Sequence, residues 1–347
     1  MAKAATRRKS GAWPFMDEKG AVLPGAQVAL PLKYSGGYTN GYTNGYTAAP
    51  LRARMSGLDH AMGRPGVSLG WHPDVPDIRD KHGGRSGATR RFEVAAMKVD
   101  RNWAAELPEQ CADNLQWCSP VEDQGALGSC TAQAVVGLAE FMQRRAGIRH
   151  VDGSRLFVYK VSRHLLGWTG DTGAYLRTAM KAVAAFGIPP EQYYPYDIAR
   201  YDEEPTAFLY SFAQNYQFLK YVRIDTADRD PDTVLTEVKR VLAAALCCVF
   251  GFSVYSSLTN APDIPFPTPA DSLEGGHAVM AVGYDDHHAN PDGSEGALII
   301  RNSWGTGWGI GGYGFLPYQY VAAGLAQDFW TALKSEWIEL DKFEDRG

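Results

Sequence analysis

The chain is short of cysteine, of long apolar runs and of net charge, and each shortage excludes something. Its 347 residues hold five cysteines, an odd and low number, and Cys247 and Cys248 are adjacent inside an apolar run. No disulfide framework can be read from that pattern. The longest nearly apolar stretch, residues 241–252, falls well short of the roughly 18 to 20 residues of a membrane helix. No membrane span is expected. A net charge of −5 lacks the bulk basicity by which many nucleic-acid binders show themselves, so no nucleic-acid partner is expected.

What is present is a globular composition. With 45% hydrophobic and 21% charged residues, the chain can build one large or two ordinary domains with real cores. Charge is unevenly spread: residues 1–101 carry 16 Lys and Arg against 8 Asp and Glu, a net of +8, and the remainder 18 against 31, a net of −13. The first ten residues bear a positive cluster without the roughly 7 to 15 apolar residues of a secretory signal, which leaves localisation open. Residues 1 to about 100 show scattered Gly and Pro, a tandem Tyr-Thr-Asn-Gly repeat at 38–47 and no sustained period. That is the texture of an irregular leader.

From about residue 110 long periodic segments begin. Residues 131–145 place Ala132, Val135, Val136, Leu138, Ala139 and Met142 on one helical face, with Ser129 as candidate N-cap and Gly147 as stop. Further helices are expected over 176–186, halted by Gly187, and over 232–245. Strands are expected at 247–252, 277–284 and 297–302, the last two joined by a long hairpin loop at 285–293. Helices first and strands later indicate an α+β protein in two lobes.

Three segments carry chemistry. In Gln124-Gly125-Ala-Leu-Gly128-Ser129-Cys130 a thiol stands where a Gly-rich turn enters a buried helix, facing the positive end of its dipole. Gly275-Gly276-His277 puts a histidine at the mouth of an apolar strand, and Asn302-Ser303-Trp304 puts an amide and an indole at a strand end. Cys, His and Asn supply a nucleophile, its base and an orienter for the base. Any one of them alone is ordinary core chemistry; the ordered triple is not.

Gln-Gly-x-x-Gly-Ser-Cys, Gly-His-Ala-Val-x-x-Val-Gly-Tyr and Asn-Ser-Trp-Gly-x-x-Trp-Gly-x-x-Gly-Tyr together resemble the signatures of the papain family of cysteine peptidases, in its prokaryotic-type branch, over about 113–337. The resemblance implies an α+β, papain-like two-lobe fold, with a helical left lobe and an antiparallel β-barrel right lobe flanking an active-site cleft. It implies a leader over 1–104, a left lobe over 105–225 and a right lobe over 226–347. Cys130 would be the nucleophile, His277 the base and then acid, Asn302 its orienter, and Gln124 an oxyanion donor beside the Cys130 N–H. The resting enzyme would hold a thiolate-imidazolium pair. Trp304 would cover the Asn-His bond, Gly173 would pair with the substrate backbone, and Gly276 would leave one pocket wall bare. Gln327 and Asp328 would lie near the floor of the pocket for the second residue before the cleaved bond, tolerating basic or bulky groups. No cofactor or metal is implied, and the partners are protein or peptide substrates.

The departures are informative too. Leu127 and Thr131 stand where many members carry Cys and Trp, which removes the family's usual disulfide, and Cys111, Cys118, Cys247 and Cys248 read as structural thiols. The usual helical prosegment pattern is missing. In its place residues 70–80, beginning Gly70-Trp71-His72-Pro73-Asp74, resemble an element ahead of some bacterial members, so the leader is expected to lie in or near the cleft as an extended inhibitor. Two other signals are discounted. Gly307 to Gly312 spells Gly-x-Gly-x-x-Gly without a following helix, and Asp285-Asp286-His287-His288 reads as a solvated loop rather than a metal site. A papain-like acyltransferase and a catalytically silent binding protein are the competing readings.

Overall fold

The computed structural model describes residues 67–74, 107–148, 150–226 and 229–337. The Tyr-Thr-Asn-Gly repeat and most of the leader lie outside the described residues. In chain order come β1 (Gln110–Cys111), α1 (Cys130–Arg144), α2 (Arg155–Leu166), α3 (Leu176–Phe186), α4 (Ala207–Ala213) and β2 (Tyr216–Arg223). Then follow α5 (Pro231–Ala243), β3 (Cys248–Tyr255), β4 (Leu273–Ala289), β5 (Glu295–Arg301), β6 (Tyr313–Pro317), α6 (Gln319–Ala322) and β7 (Ala326–Trp337).

Helix α1 is the axle of the molecule. Its period suggested one buried face, but all fifteen residues are buried, because α2 and α3 pack on it as well as β4. Ala132, Ala134, Gly137 and Ala139 keep it slim enough for those neighbours. Its polar residues survive burial by bonding to loop backbone: Glu140 Oε1 accepts the Gly153 N–H at 2.9 Å and Gln143 Oε1 that of Val151 at 2.9 Å. Ser129 occupies the N-cap position without capping, since its backbone is not in the extended region and its hydroxyl meets Tyr196 Oη at 2.6 Å instead.

Local signals explain the other helices. Gly187 ends α3 with φ 81°. Asp230 caps α5 by accepting the Thr233 N–H at 2.9 Å, with Pro231 at the first helical position. Ser154 caps α2 and Gly167 closes it in the left-handed region with φ 69°.

The second lobe is built on a seven-stranded antiparallel sheet of order β2-β7-β3-β4-β5-β6, with β1 added beside β4. Helices α1 to α4 thus gather in one lobe, while the sheet, with α5 and α6 packed beside it, makes the other, as an α+β two-lobe protein requires. The strand path is open: its ends, β2 and β6, do not pair among the described residues. Strand β4 runs on to Ala289, so residues 285–288 lie in the sheet and the expected loop shrinks to a short turn. Three of the four side chains meet a partner of opposite type there, Asp286 with Lys239, His287 with Glu109 and His288 with Asp263, and Asp285 accepts the His287 N–H. After Gly312 the chain enters β6 rather than a helix. No described helix is long and apolar enough to cross a membrane, and all five cysteines are free thiols.

Candidate active site

Cys130 opens α1, His277 sits on β4, and Asn302 follows the end of β5, so the two lobes bring three sequence-distant groups to one seam. His277 Nε2 lies 2.7 Å from Asn302 Oδ1, which also accepts the Ser303 N–H at 2.7 Å. An oxygen already accepting from a backbone N–H is turned to accept from imidazole as well, so the proton resides on Nε2. Nδ1 is left as the basic atom, buried and without a hydrogen-bond partner. Trp304, itself buried, stacks on the imidazole, ring centroids 4.3 Å apart and planes 23° from parallel.

Gln124 is fully buried beside them. Ser303 Oγ donates to its Oε1 at 2.6 Å, which turns its Nε2 toward the Ser68 carbonyl at 2.8 Å and the Leu127 carbonyl at 2.9 Å. Ser303 therefore serves both amides, through its hydroxyl to Gln124 and its N–H to Asn302. Ser303 lies within the Asn-Ser-Trp segment, where a serine between two motif residues carries no signal of its own.

The leader runs through this seam. Residues 67–74 are extended, with the Trp71 N–H on the Gly276 carbonyl at 3.1 Å, the Ala174 N–H on the Gly70 carbonyl at 2.8 Å and the His72 N–H on the Ala174 carbonyl at 3.2 Å. Toward the leader it is Ala174 that makes the backbone pairing. Gly173 instead donates its N–H to Tyr159 Oη at 3.0 Å, and Tyr159 Oη donates to Asp171 at 2.7 Å. Asp171 also accepts the Gly128 N–H at 3.0 Å, tying the cleft strip to the turn before Cys130.

The Trp71 indole enters a pocket between β3, β4 and β7, where its Nε1 donates to Asp328 Oδ2 at 3.2 Å. Asp328 is fully buried. Its Oδ1 accepts from Trp330 Nε1 at 2.6 Å and lies 3.2 Å from Arg223 Nη1. Burial and the carboxylates of Asp225 and Asp74 raise its pKa to about 6 against the pull of Arg223. Gln327 stands half-buried opposite Gly251 in the β3-β7 register, and Asp328 alone of the two bonds the indole. Sequence reasoning missed Gly251, Arg223 and Asp225; a lone arginine on a strand carries no motif.

Covering changes the protonation of the central pair. Burial pushes the Cys130 thiol up to about 12, although the N–H groups of Ala278, Gly70, Thr131 and Cys130 favour the thiolate. Burial likewise pushes His277 down to about 4, opposed by Asn302. In the covered cleft both shifts favour the neutral thiol and the neutral imidazole, because desolvation outweighs the helix terminus and the hydrogen bonds.

Comparisons with known proteins give the family and the fold. Residues 107–331 match the model of the papain family cysteine proteases. A peptidase C1-like protein of Acanthamoeba polyphaga mimivirus is 36% identical over 217 residues, 60% of this chain and 68% of that protein. Chymopapain of Carica papaya is 29% identical, over 65% of this chain and 58% of its own length. Among solved structures, xylellain, a cysteine protease from Xylella fastidiosa, superposes with a TM-score of 0.62 at 32% identity, covering 79% of this chain and 97% of that one.

Proposed function

The chain belongs to the papain family of cysteine proteases and is a thiol peptidase, and from that premise we propose that it is an endopeptidase whose own leader holds the cleft shut. Cys130 is the nucleophile, His277 its base and then acid, Asn302 the orienter, and Gln124 with the Cys130 N–H the oxyanion donors. The leader spans 1–104, the helical lobe 105–225 and the sheet lobe 226–347.

With the leader displaced, water and substrate restore polarity to the seam, and the Cys130 proton passes to His277 Nδ1. The thiolate attacks the scissile carbonyl carbon, and the developing oxyanion takes the Gln124 Nε2–H and the Cys130 N–H. Collapse expels the amine, which leaves with the proton from His277, and water then hydrolyses the thioester by the same route reversed. Asn302 holds the imidazole on edge throughout, and Trp304 keeps that bond dry.

The observation that carries the inhibitory reading is what the leader presents to the sulfur. The Ser68 carbonyl accepts from Gln124 Nε2, while it is the Gly70 N–H that faces Cys130. The segment thus fills the oxyanion hole with its own carbonyl and sets an N–H against the sulfur, which supports its place as an inhibitor. The test is the full chain carrying Trp71→Ala, assayed on a fluorogenic peptide. Hydrolysis at least about 10-fold faster than for the unaltered chain, abolished by adding His277→Ala, is the expected result. Equal rates with and without Trp71 would exclude the leader as inhibitor.

A further inference from the structure

We propose that, once the leader leaves, the pocket now holding Trp71 selects peptides with a tryptophan close to the scissile bond, and that Asp328 is the residue that reads the indole N–H. The inference rests on the peptidase reading above, because it assigns the vacated pocket to substrate.

The pocket fits a flat bicyclic ring. A Cβ at Gly251 would lie 1.9 Å from Trp71 Cε2, and one at Gly276 would lie 2.6 Å from Cε3. These two glycines, on the paired strands β3 and β4, leave a slot that any side chain at either position would close. The slot ends on Asp328 Oδ2, while the other oxygen of that carboxylate is taken by Trp330 and Arg223.

Charge decides between an indole and a cation. The body's groups around this floor are Arg223, Arg177, Asp225 and Asp328. Arg223 pairs with both aspartates, and Arg177 and Arg223 approach the Trp330 ring, 5.8 and 5.6 Å from its centroid. Arg177 pairs with Asp74 of the leader, so when the leader departs the floor keeps two guanidiniums against two carboxylates, and a lysine or arginine from substrate meets no excess of negative charge. A neutral N–H donor supplies what Oδ2 lacks when Trp71 departs. Phenylalanine fills the slot but leaves a buried acceptor unsatisfied, which sets the discrimination. Asp328 also holds φ 64°, a strained conformation for a side-chain-bearing residue, and one that aspartate and asparagine tolerate better than most.

The experiment uses the full chain with Trp71→Ala and internally quenched peptides that place Trp, Phe, Leu or Arg at each of the three positions on either side of the cleaved bond. At one position Trp should exceed Phe in kcat/KM by about 10-fold or more. Adding Asp328→Asn, which keeps an acceptor and accepts the backbone, should retain the ratio, and Asp328→Gly should bring it near one. Phe or Arg equal to or better than Trp at every position overturns the proposal while leaving the peptidase reading intact. Cleavage of none of the peptides overturns the peptidase reading instead. A second measurement then decides the pocket without catalysis: indole should raise the melting temperature of the Trp71→Ala chain, and benzofuran, the same shape without an N–H, should not. Equal shifts overturn the proposal.

Discussion

At the residue scale the decisive property of Cys130 is its burial, not its place at a helix N-terminus. A pKa near 12 leaves about one thiol in 10⁵ ionised at pH 7, against a few per cent for an ordinary cysteine near 8.5. Because only the thiolate alkylates, the covered enzyme should react with iodoacetamide slowly at neutral pH, with a rate that climbs steadily as pH rises toward 12. Removing the cover with Trp71→Ala lets water reach the sulfur and His277. The pKa of the thiol should then fall and that of the imidazole rise, toward the ion pair. Peptide mapping of the Cys130 adduct should show labelling at pH 7 faster by about 100-fold or more in Trp71→Ala. An unchanged rate would mean that the sulfur is neutral for some reason other than the leader. The remaining cysteines give an internal control, since burial raises the thiols of Cys111, Cys118, Cys247 and Cys248 as well.

At the scale of elements the helical lobe depends on how α3 stops. Gly187 combines φ 81° with a backbone approach so close that a Cβ would lie 1.9 Å from the Ala213 carbonyl oxygen and 2.8 Å from that of Tyr216. Gly187→Ala therefore brings both strain and collision where α3 meets the end of α4 and the start of β2. A loss of about 2 kcal/mol or more is expected from a shifted denaturation midpoint, without change in the ratio of alkylation rates just described. This stop was legible in the sequence, as were α1, α3, α5 and the strands around His277 and Asn302, because each couples a clear period to a local stop or cap. Helix α2 carries the same kind of local signals, with Ser154 before it and Gly167 after. Strand β7 was not readable from its own residues: Ala326–Trp337 becomes a strand by pairing with β2 and β3, 74 or more residues away in register. For the same reason the sequence reached Asp328 but not the Arg223 that balances it. Motifs hold the catalytic groups, whereas the pocket is assembled by long-range pairing.

At the scale of the molecule, a leader of +8 and a body of −13 suggest that opposite charge holds one to the other. Locally the sense is reversed. Residues 67–74 contain no lysine or arginine, and their one carboxylate, Asp74, pairs with Arg177 of the body at 3.1 Å while the Asp74 carbonyl accepts from Arg223 at 2.9 Å. Both arginine side chains are largely buried, so salt screens these contacts much less than exposed ones. The remaining hold comes from Trp71, almost wholly buried and bonded to Asp328, from backbone bonds to Ala174 and Gly276, from the Ser68 carbonyl on Gln124 and from His72 Nε2 on the Thr172 carbonyl. Apolar burial does not weaken in salt. Inhibition by the leader should accordingly survive high ionic strength. Between about 0.1 and about 1 M NaCl, where the screening length shortens from about 10 Å to about 3 Å, the activity of the full chain relative to Trp71→Ala should change by less than about threefold. A tenfold or greater release would move the hold from the cleft to the basic residues on either side of it, and make the charge asymmetry of the sequence the working part of the latch.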